Sequence, residues 1–158
     1  MNPSPSATNA APTATSHDEA VQRLVDFFEH LTPGTVSGLP QIYASEARFK
    51  DPFNDVTGLP GIQRIFNHMF VALHAPRFVV LERVLQGKQC FLTWEFRFRF
   101  KRFDTDTEQV ILGATHVVFN ELGQVTLHRD YWDAAEELYE KLPLVGTLMR
   151  WFKQRANS

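Results

Sequence analysis

The chain has 158 residues, a formal net charge of -2 and a hydrophobic fraction of 44% that includes fourteen phenylalanines. This length fits one domain with a large core, and the nearly balanced charge gives no reason to expect a nucleic acid partner. The single cysteine, Cys90, excludes an intramolecular disulfide and a cysteine-rich zinc site, and it favours a reducing, cytoplasmic setting.

The first part of the chain is predicted to hold a leader and two helices. Residues 1–16 are rich in Pro, Ser, Thr and Ala, a composition that cannot offset its ordering entropy, so they are predicted to be disordered. Ser16 followed by Glu19 has the form of a capping box, and helical spacing then predicts an amphipathic helix over residues 17–31. A short helical segment is expected at LPQIYA, residues 39–44.

A strand, a turn and a long helix follow. EARFKDP, residues 46–52, is predicted to be a strand that Pro52 ends, and NDVTG is predicted to be a turn that contains Asp55. From Ile62 to Leu73 apolar residues recur at i, i+3, i+4 and i+7, which predicts the most regular helix of the chain.

Beyond Pro76 the period changes to two, and four strands are predicted. They cover RFVVLERVL, FLTWEFRFRFKRF after a two-residue Gly-Lys turn, EQVILGATHVVF and VTLHRDYW. Helices grouped before a meander of strands predict an α+β fold, in which a curved, mostly antiparallel sheet forms a cone around the N-terminal helices. The mouth of such a cone is a natural apolar pocket, and a C-terminal helical extension over residues 134–158 completes the chain.

Three stretches carry a resemblance to a known superfamily. IYASEARFKDPF with GLPGIQRIF, then VVFNELGQV, then YW at the end of the last strand are similar in order and spacing to the nuclear transport factor 2-like superfamily, across residues 17–133. That superfamily includes ketosteroid isomerases, SnoaL-like polyketide cyclases, limonene epoxide hydrolases and ligand-binding proteins. The resemblance implies a small apolar ligand, no cofactor and a homodimer formed through the sheets, but the fold alone does not fix the function.

Within this superfamily the pattern most resembles ketosteroid isomerases, whose DPF-like segment carries the general base; that position falls on Asp51. These enzymes pair the base with an oxyanion hole of a tyrosine and a protonated aspartate. A gapless comparison puts Phe27 and Thr115 at those two positions, so both strong donors are missing and ketosteroid isomerisation itself is disfavoured. Trp132 matches a pocket-lining tryptophan. The residues expected to line the pocket are Phe27, Phe53, Phe66, Trp94, Thr115 and Trp132.

The last strand supplies further candidates. If Trp132 faces the pocket, alternation places Asp130 and His128 on the same face, across from Asp51. An apolar cavity disfavours the charged form of a carboxylate, which suits such a group to proton transfer. We therefore predict Asp51, Asp130 and His128 as catalytic residues in metal-free proton transfer on a small apolar carbonyl or epoxide compound. A non-catalytic ligand-binding or sensing domain remains the alternative.

Each candidate also has a simpler interpretation. Asp51 could belong only to its turn, Asp130 could pair with Arg129 or Arg48 at the rim, and His128 could be a hydrogen-bonded core residue. A metal site at His128 and Asp130 is disfavoured because the chain offers no second histidine downstream.

The charged face of one strand and the C-terminal extension each have more than one possible role. The charged strand face of Glu95, Arg97, Arg99 and Lys101 is either solvated or part of a polar dimer interface. For the C-terminal extension we favour packing against its own sheet or across the dimer over a lid or a basic membrane contact.

Overall fold

The structure, a computed structural model, describes residues 16–102 and 104–137. Its helices are α1 (His17–Glu29), α2 (Leu39–Ile42), α3 (Leu59–Ala72) and α4 (Ala134–Glu137), with a 3-10 turn at Val36–Gly38. Its strands are β1 (Tyr43–Lys50), β2 (Asp55–Thr57), β3 (Leu73–Gln86), β4 (Gln89–Phe100), β5 (Gln109–Phe119) and β6 (Val125–Tyr131). The predicted leader, apart from Ser16, and the predicted extension beyond Glu137 lie outside the described residues.

The six strands form one open sheet in the order β2-β1-β6-β5-β4-β3. Strands β3 to β6 follow one another as an antiparallel meander, and β1 joins the far side of β6 in parallel. The short strand β2 folds back antiparallel onto β1. The α+β class and the mostly antiparallel sheet predicted from the sequence are therefore confirmed.

The two long helices cover the inner face of this sheet because each is apolar on one side only. Helix α1 buries its residues at helical spacing and packs against β3, whereas α3 packs against β1 and β3. None of the helices in the described part of the chain is long and apolar enough to cross a membrane. The shared core includes Leu24, Tyr43, Ile62, Val117 and Phe119.

Local details differ from the sequence predictions at the ends of elements. Ser16 occupies the N-cap of α1, but its exposed side chain makes no capping hydrogen bond, and only its carbonyl accepts the amide of Ala20. The helix predicted over residues 39–44 ends at Ile42, and the last two residues of that segment belong to β1. Tyr43 is therefore a strand residue.

Strand β3 begins at Leu73, whereas the sequence predicted its start after Pro76. A bulge at Pro76 interrupts the alternation of side chains, so the part of the strand before the proline was not recognised. The strand pairs with β4 before and after that bulge, at His74 and again at Arg77, and Ala75 adopts a φ of 47° between them. A proline has no N–H to donate, and β3 is an edge strand of the sheet, where a bulge tolerates it.

Lys101 is not part of the charged strand face to which the sequence assigned it. Its ammonium group donates to the carbonyls of Phe70 and Val71 at 3.1 and 2.6 Å. These carbonyls belong to the last turn of α3, where a cation satisfies otherwise unpaired acceptors. Lys101 therefore closes the C-terminal end of α3.

Truncating the core should show how much of the stability depends on α1. The Leu24→Ala variant removes a side chain with 0% exposure, and we expect the free energy of unfolding to fall by about 2–5 kcal/mol. Leu122→Ala makes the same chemical change at a side chain that is 57% exposed, and should cost less than about 0.5 kcal/mol. Urea denaturation of both variants measures the difference; equal losses would contradict the packing of α1 described above.

Candidate functional site

A cavity of about 630 Å³ lies between α3 and the inner face of the sheet. Alternation along β4 turns every second side chain from Trp94 to Phe100 toward it, in agreement with the predicted period of two. Nine aromatic side chains line the cavity: Phe49, Phe53, Phe66, Phe78, Trp94, Phe96, Phe98, Phe100 and Trp132. A ligand in this space would contact ring faces and edges on most sides.

Four of the six predicted lining residues, Phe53, Phe66, Trp94 and Trp132, line this cavity. Thr115 does not, since it lies beneath Trp94 at an adjoining void of about 30 Å³. His128 lines the same small void, and Asp130 lines both spaces.

Phe27 lies away from both spaces, because α1 turns Phe28 toward the sheet instead. The ring of Phe28 lies 5.6 Å from the rings of Phe78 and His128, and it lines the smaller void. Phe27 contacts the edge of Phe28 from the side. Successive helical residues point about 100° apart, so a gapless comparison that is off by one residue selects a different face.

The carboxylate of Asp51 lies on the cavity wall and also organises the turn after β1. Its Oδ1 accepts the backbone amides of Phe53 and Asn54 at 2.7 and 2.6 Å. The side-chain amide of Asn54 donates to both carboxylate oxygens, at 3.0 and 2.9 Å. Asp51 is therefore both a cavity-lining residue and a turn residue, and the turn uses most of the lone pairs of its carboxylate.

Asp55 lies on the outside of the β1–β2 pair, and the predicted turn is wrong at this residue because Asp55 begins strand β2 and pairs with Lys50 of β1. Arg48 donates two hydrogen bonds to it at 2.9 and 2.7 Å, and Lys50 donates a third at 3.1 Å. These hydrogen bonds, first from Arg48 and then from Lys50, hold the pKa of Asp55 well below its usual range.

Asp130 is held very differently, by a hydrogen-bonded chain of buried side chains. Its Oδ1 accepts the hydroxyl of Thr115 at 2.5 Å and lies 2.9 Å from Nε2 of His128. Nδ1 of His128 lies 2.7 Å from the hydroxyl of Tyr43, and the indole N–H of Trp94 donates to Oγ1 of Thr115 at 2.7 Å. Strands β1, β4, β5 and β6 each contribute to this chain.

The direction of each hydrogen bond in the chain follows from the donors available. An indole N–H can only donate, so Thr115 must accept from Trp94 and has its one hydroxyl hydrogen left for Asp130. Burial, and secondly the negative charge of Asp130, raises the pKa of Tyr43 well above its usual value, so its hydroxyl stays protonated. Tyr43 then donates to Nδ1 of His128, which leaves the hydrogen of His128 on Nε2, facing Asp130.

The second oxygen of Asp130 is therefore the free one. Within residues 16–102 and 104–137, Oδ2 of Asp130 accepts no hydrogen bond. The alternative pairing at the rim is wrong, since Arg48 binds Asp55 and Arg129 lies over the ring of Tyr131 at 4.8 Å. Asp130 therefore lines an aromatic cavity with one carboxylate oxygen that no described residue engages.

Neither nitrogen of His128 is available to a metal ion, since one meets Tyr43 and the other meets Asp130. In the described part of the chain, no group of three or more His, Cys, Asp or Glu side chains could hold a metal ion.

Sequence reasoning missed two residues that shape the hydrogen-bonded chain around Asp130, Tyr43 and Gly113. Tyr43 lies 85 residues from His128, and no local pattern links them. Gly113 pairs with Trp94 across β4 and β5, and a Cβ there would lie 2.2 Å from the indole. The glycine in LGATH leaves the space in which the indole lies, and a lone glycine inside a strand pattern was the available signal.

Known proteins share this architecture. The SnoaL-like domain family matches residues 24–128, and no curated protein matches significantly. A candidate SnoaL-like polyketide cyclase from Jannaschia sp. CCS1 superimposes with a TM-score of 0.64 at 17% identity, covering 82% of this chain and 94% of that one. An LEH-like epoxide hydrolase from M. tuberculosis gives 0.62 at 12%, covering 80% and 89%. TerC, co-crystallised with polyporic acid, gives 0.63 at 15%, covering 76% and 93%.

The fold is that of the nuclear transport factor 2-like proteins, and these similarities in structure establish the fold alone. The match over residues 24–128 is more specific: the chain belongs to the SnoaL-like domain family.

Substituting Gly113 should disturb the chain that holds Asp130. In the Gly113→Ala variant the new methyl group overlaps the indole of Trp94, and we expect a loss of about 1–3 kcal/mol in stability. Displacing the indole also lengthens its hydrogen bond to Thr115, which a shift of the Trp94 indole N–H resonance in NMR spectra would report. Gly34→Ala, whose Cβ would meet its nearest atom at 3.8 Å, is the matched control and should leave that resonance in place.

Proposed function

We propose that the protein binds a small apolar molecule in the aromatic cavity and transfers a proton on it, with Asp130 as the general base and acid. The observation that carries this proposal is that Asp130 lines the cavity with Oδ1 fixed by Thr115 and His128, while its Oδ2 accepts no hydrogen bond from the described residues. Asp51 lies on the same wall, but its oxygens are engaged by the turn, so we assign it a positioning role for Phe53 and Asn54.

The proposed step uses these groups in a simple order. Oδ2 of Asp130 takes a proton from an acidic C–H or O–H of the ligand and returns it to another atom of the same molecule. The hydroxyl of Thr115 and the Nε2–H of His128 keep the carboxylate oriented, so that little reorganisation is needed when its charge changes. Isomerisation, cyclisation and dehydration all contain such a step, and in hydrolytic epoxide opening the same carboxylate would take the proton from the attacking water.

Ligand binding without turnover is the second candidate. The observation that favours it is that two buried donors of the hydrogen-bonded chain, on Trp94 and Thr115, are already engaged within the protein. The indole N–H of Trp94 points to Thr115, and the hydroxyl of Thr115 points to Asp130, so neither donates into the cavity. An oxyanion formed on a ligand would receive no hydrogen bond from these two groups.

The Asp130→Asn variant separates the two candidates. Asparagine keeps the shape and the oxygen that accepts from Thr115 but cannot take a proton, so turnover of a responsive ketone or epoxide should fall about a hundredfold or more. Kinetics on a panel of apolar ketones, polyketide-like compounds and epoxides measures this change. Asp55→Asn makes the same substitution outside the cavity and should leave turnover unchanged.

Asp51→Asn tests the other assignment. We expect it to lower stability by weakening the turn while keeping most of the turnover. Loss of turnover in this variant but not in Asp130→Asn would return the general base to Asp51. Binding of panel compounds with no turnover of any would instead support the second candidate.

We further propose that two copies of the chain associate through the outer face of the sheet. Large apolar side chains are exposed there, with Val84 of β3 paired directly opposite Phe91 of β4. Leu112 of β5 and Tyr131 of β6 are also large and exposed. Proteins of the nuclear transport factor 2-like superfamily commonly dimerise through their sheets. An exposed apolar face agrees with such a dimer, because a second copy of the chain would remove the apolar side chains from water.

Placing a charge in this patch should weaken the association. We expect the wild-type protein to be a dimer by light scattering coupled to size exclusion, and Phe91→Glu to shift it toward the monomer with an unchanged circular dichroism spectrum. Leu122→Glu, at an exposed position in the β5–β6 turn, is the control and should stay dimeric. A monomeric wild type, or equal effects of the two variants, would contradict the proposed interface.

A further inference from the structure

The polar groups of the cavity wall divide into those that the protein already satisfies and those left for a ligand. Asp51 and Asn54 bind each other, and the indole N–H of Trp94 is used by Thr115. A ligand gains little from groups that are already paired. What the cavity recognises is therefore set by the remaining polar groups.

Two of the remaining groups are basic and lie together on α3. Arg64 and His68 both line the cavity, and they are separated by four residues, so that they stand one above the other on the same helix face. Both are exposed, and neither makes a hydrogen bond or ion pair with the residues that the structure describes. The residues beside them on this wall, Ile65 and Met69, are apolar.

The carboxylates of the cavity come from the strands and the turn after β1. Asp51 follows β1 and Asp130 lies on β6, and the parallel register that pairs Phe49 with His128 and Lys50 with Arg129 brings them to the same end of the sheet. The cavity is therefore polarised, with a basic edge on the helix wall and carboxylates on the strand wall. A molecule with an anionic group would be attracted at one wall and repelled at the other.

We propose that the ligand is an amphiphilic anion, with an apolar ring system against the aromatic walls and an anionic group at Arg64 and His68. A guanidinium presents its donors in a planar fork that suits a carboxylate or sulfonate, and the imidazole adds one further donor. Asp130 lines the same cavity from the strand side, where the rest of the ligand would lie. This inference rests on the proposed function, since it names the substrate class for the same cavity.

Two fluorescent probes with the same ring skeleton test the inference. 1-Anilinonaphthalene-8-sulfonate carries an anionic group, and N-phenyl-1-naphthylamine is the neutral molecule without it. We expect Arg64→Gln to weaken binding of the sulfonate about tenfold while binding of the neutral probe changes less than about twofold. Arg99→Gln, on the outward side of β4 and away from the cavity, is the matched control and should change neither.

The outcomes distinguish the inference from the function on which it rests. If the neutral probe binds but Arg64→Gln affects the sulfonate no more than Arg99→Gln does, the anionic preference is wrong and the apolar cavity stands. If Arg64→Gln weakens both probes equally, the helix wall rather than the charge is responsible, and the inference also fails. If neither probe binds the wild-type protein, the ligand-binding cavity and the inference fail together.

Discussion

The site depends on one constraint: a carboxylate set among aromatic side chains must be hydrogen bonded, or its burial would be costly. For Asp130 the hydrogen bonds come from Thr115 and His128, which are themselves held by Trp94 and Tyr43. These residues come from four strands, so the chain of hydrogen bonds forms only when every strand has its observed register. A slip of one residue in any of them would turn its contribution to the outer face.

The two carboxylates of the cavity divide structural and chemical work. Asp51 stands in the more conspicuous motif, beside Pro52 and between aromatics, yet its oxygens organise the turn. Asp130 stands in an ordinary strand, yet among the described residues only one of its oxygens is hydrogen bonded, and the residue lines the cavity. The difference lies in which neighbours can donate, and proximity to aromatic residues alone does not reveal it.

Much of the fold and part of the site could be predicted from the sequence, because both depend on the regular spacing of apolar residues along helices and strands. Alternation along the strands placed Trp94 toward the interior and put His128 and Asp130 on one face, and apolar spacing located α1 and α3. What local spacing could not supply were relations between distant segments. The hydrogen bond between Tyr43 and His128 depends on how β1 pairs with β6. That Phe28 rather than Phe27 faces the sheet depends on how α1 is rotated about its axis.

The aromatic lining separates the shape of the cavity from its chemistry. Of the residues in the hydrogen-bonded chain, only Trp94 lies on β4, and the next inward residues of that strand, Phe96, Phe98 and Phe100, line the cavity without taking part in it. Substitutions at these three positions would therefore remodel the space offered to a ligand while the proton-transferring groups keep their arrangement. Divergence of binding preference within one reaction type, by exchange of side chains along a single strand, is the evolutionary route that this construction leaves open.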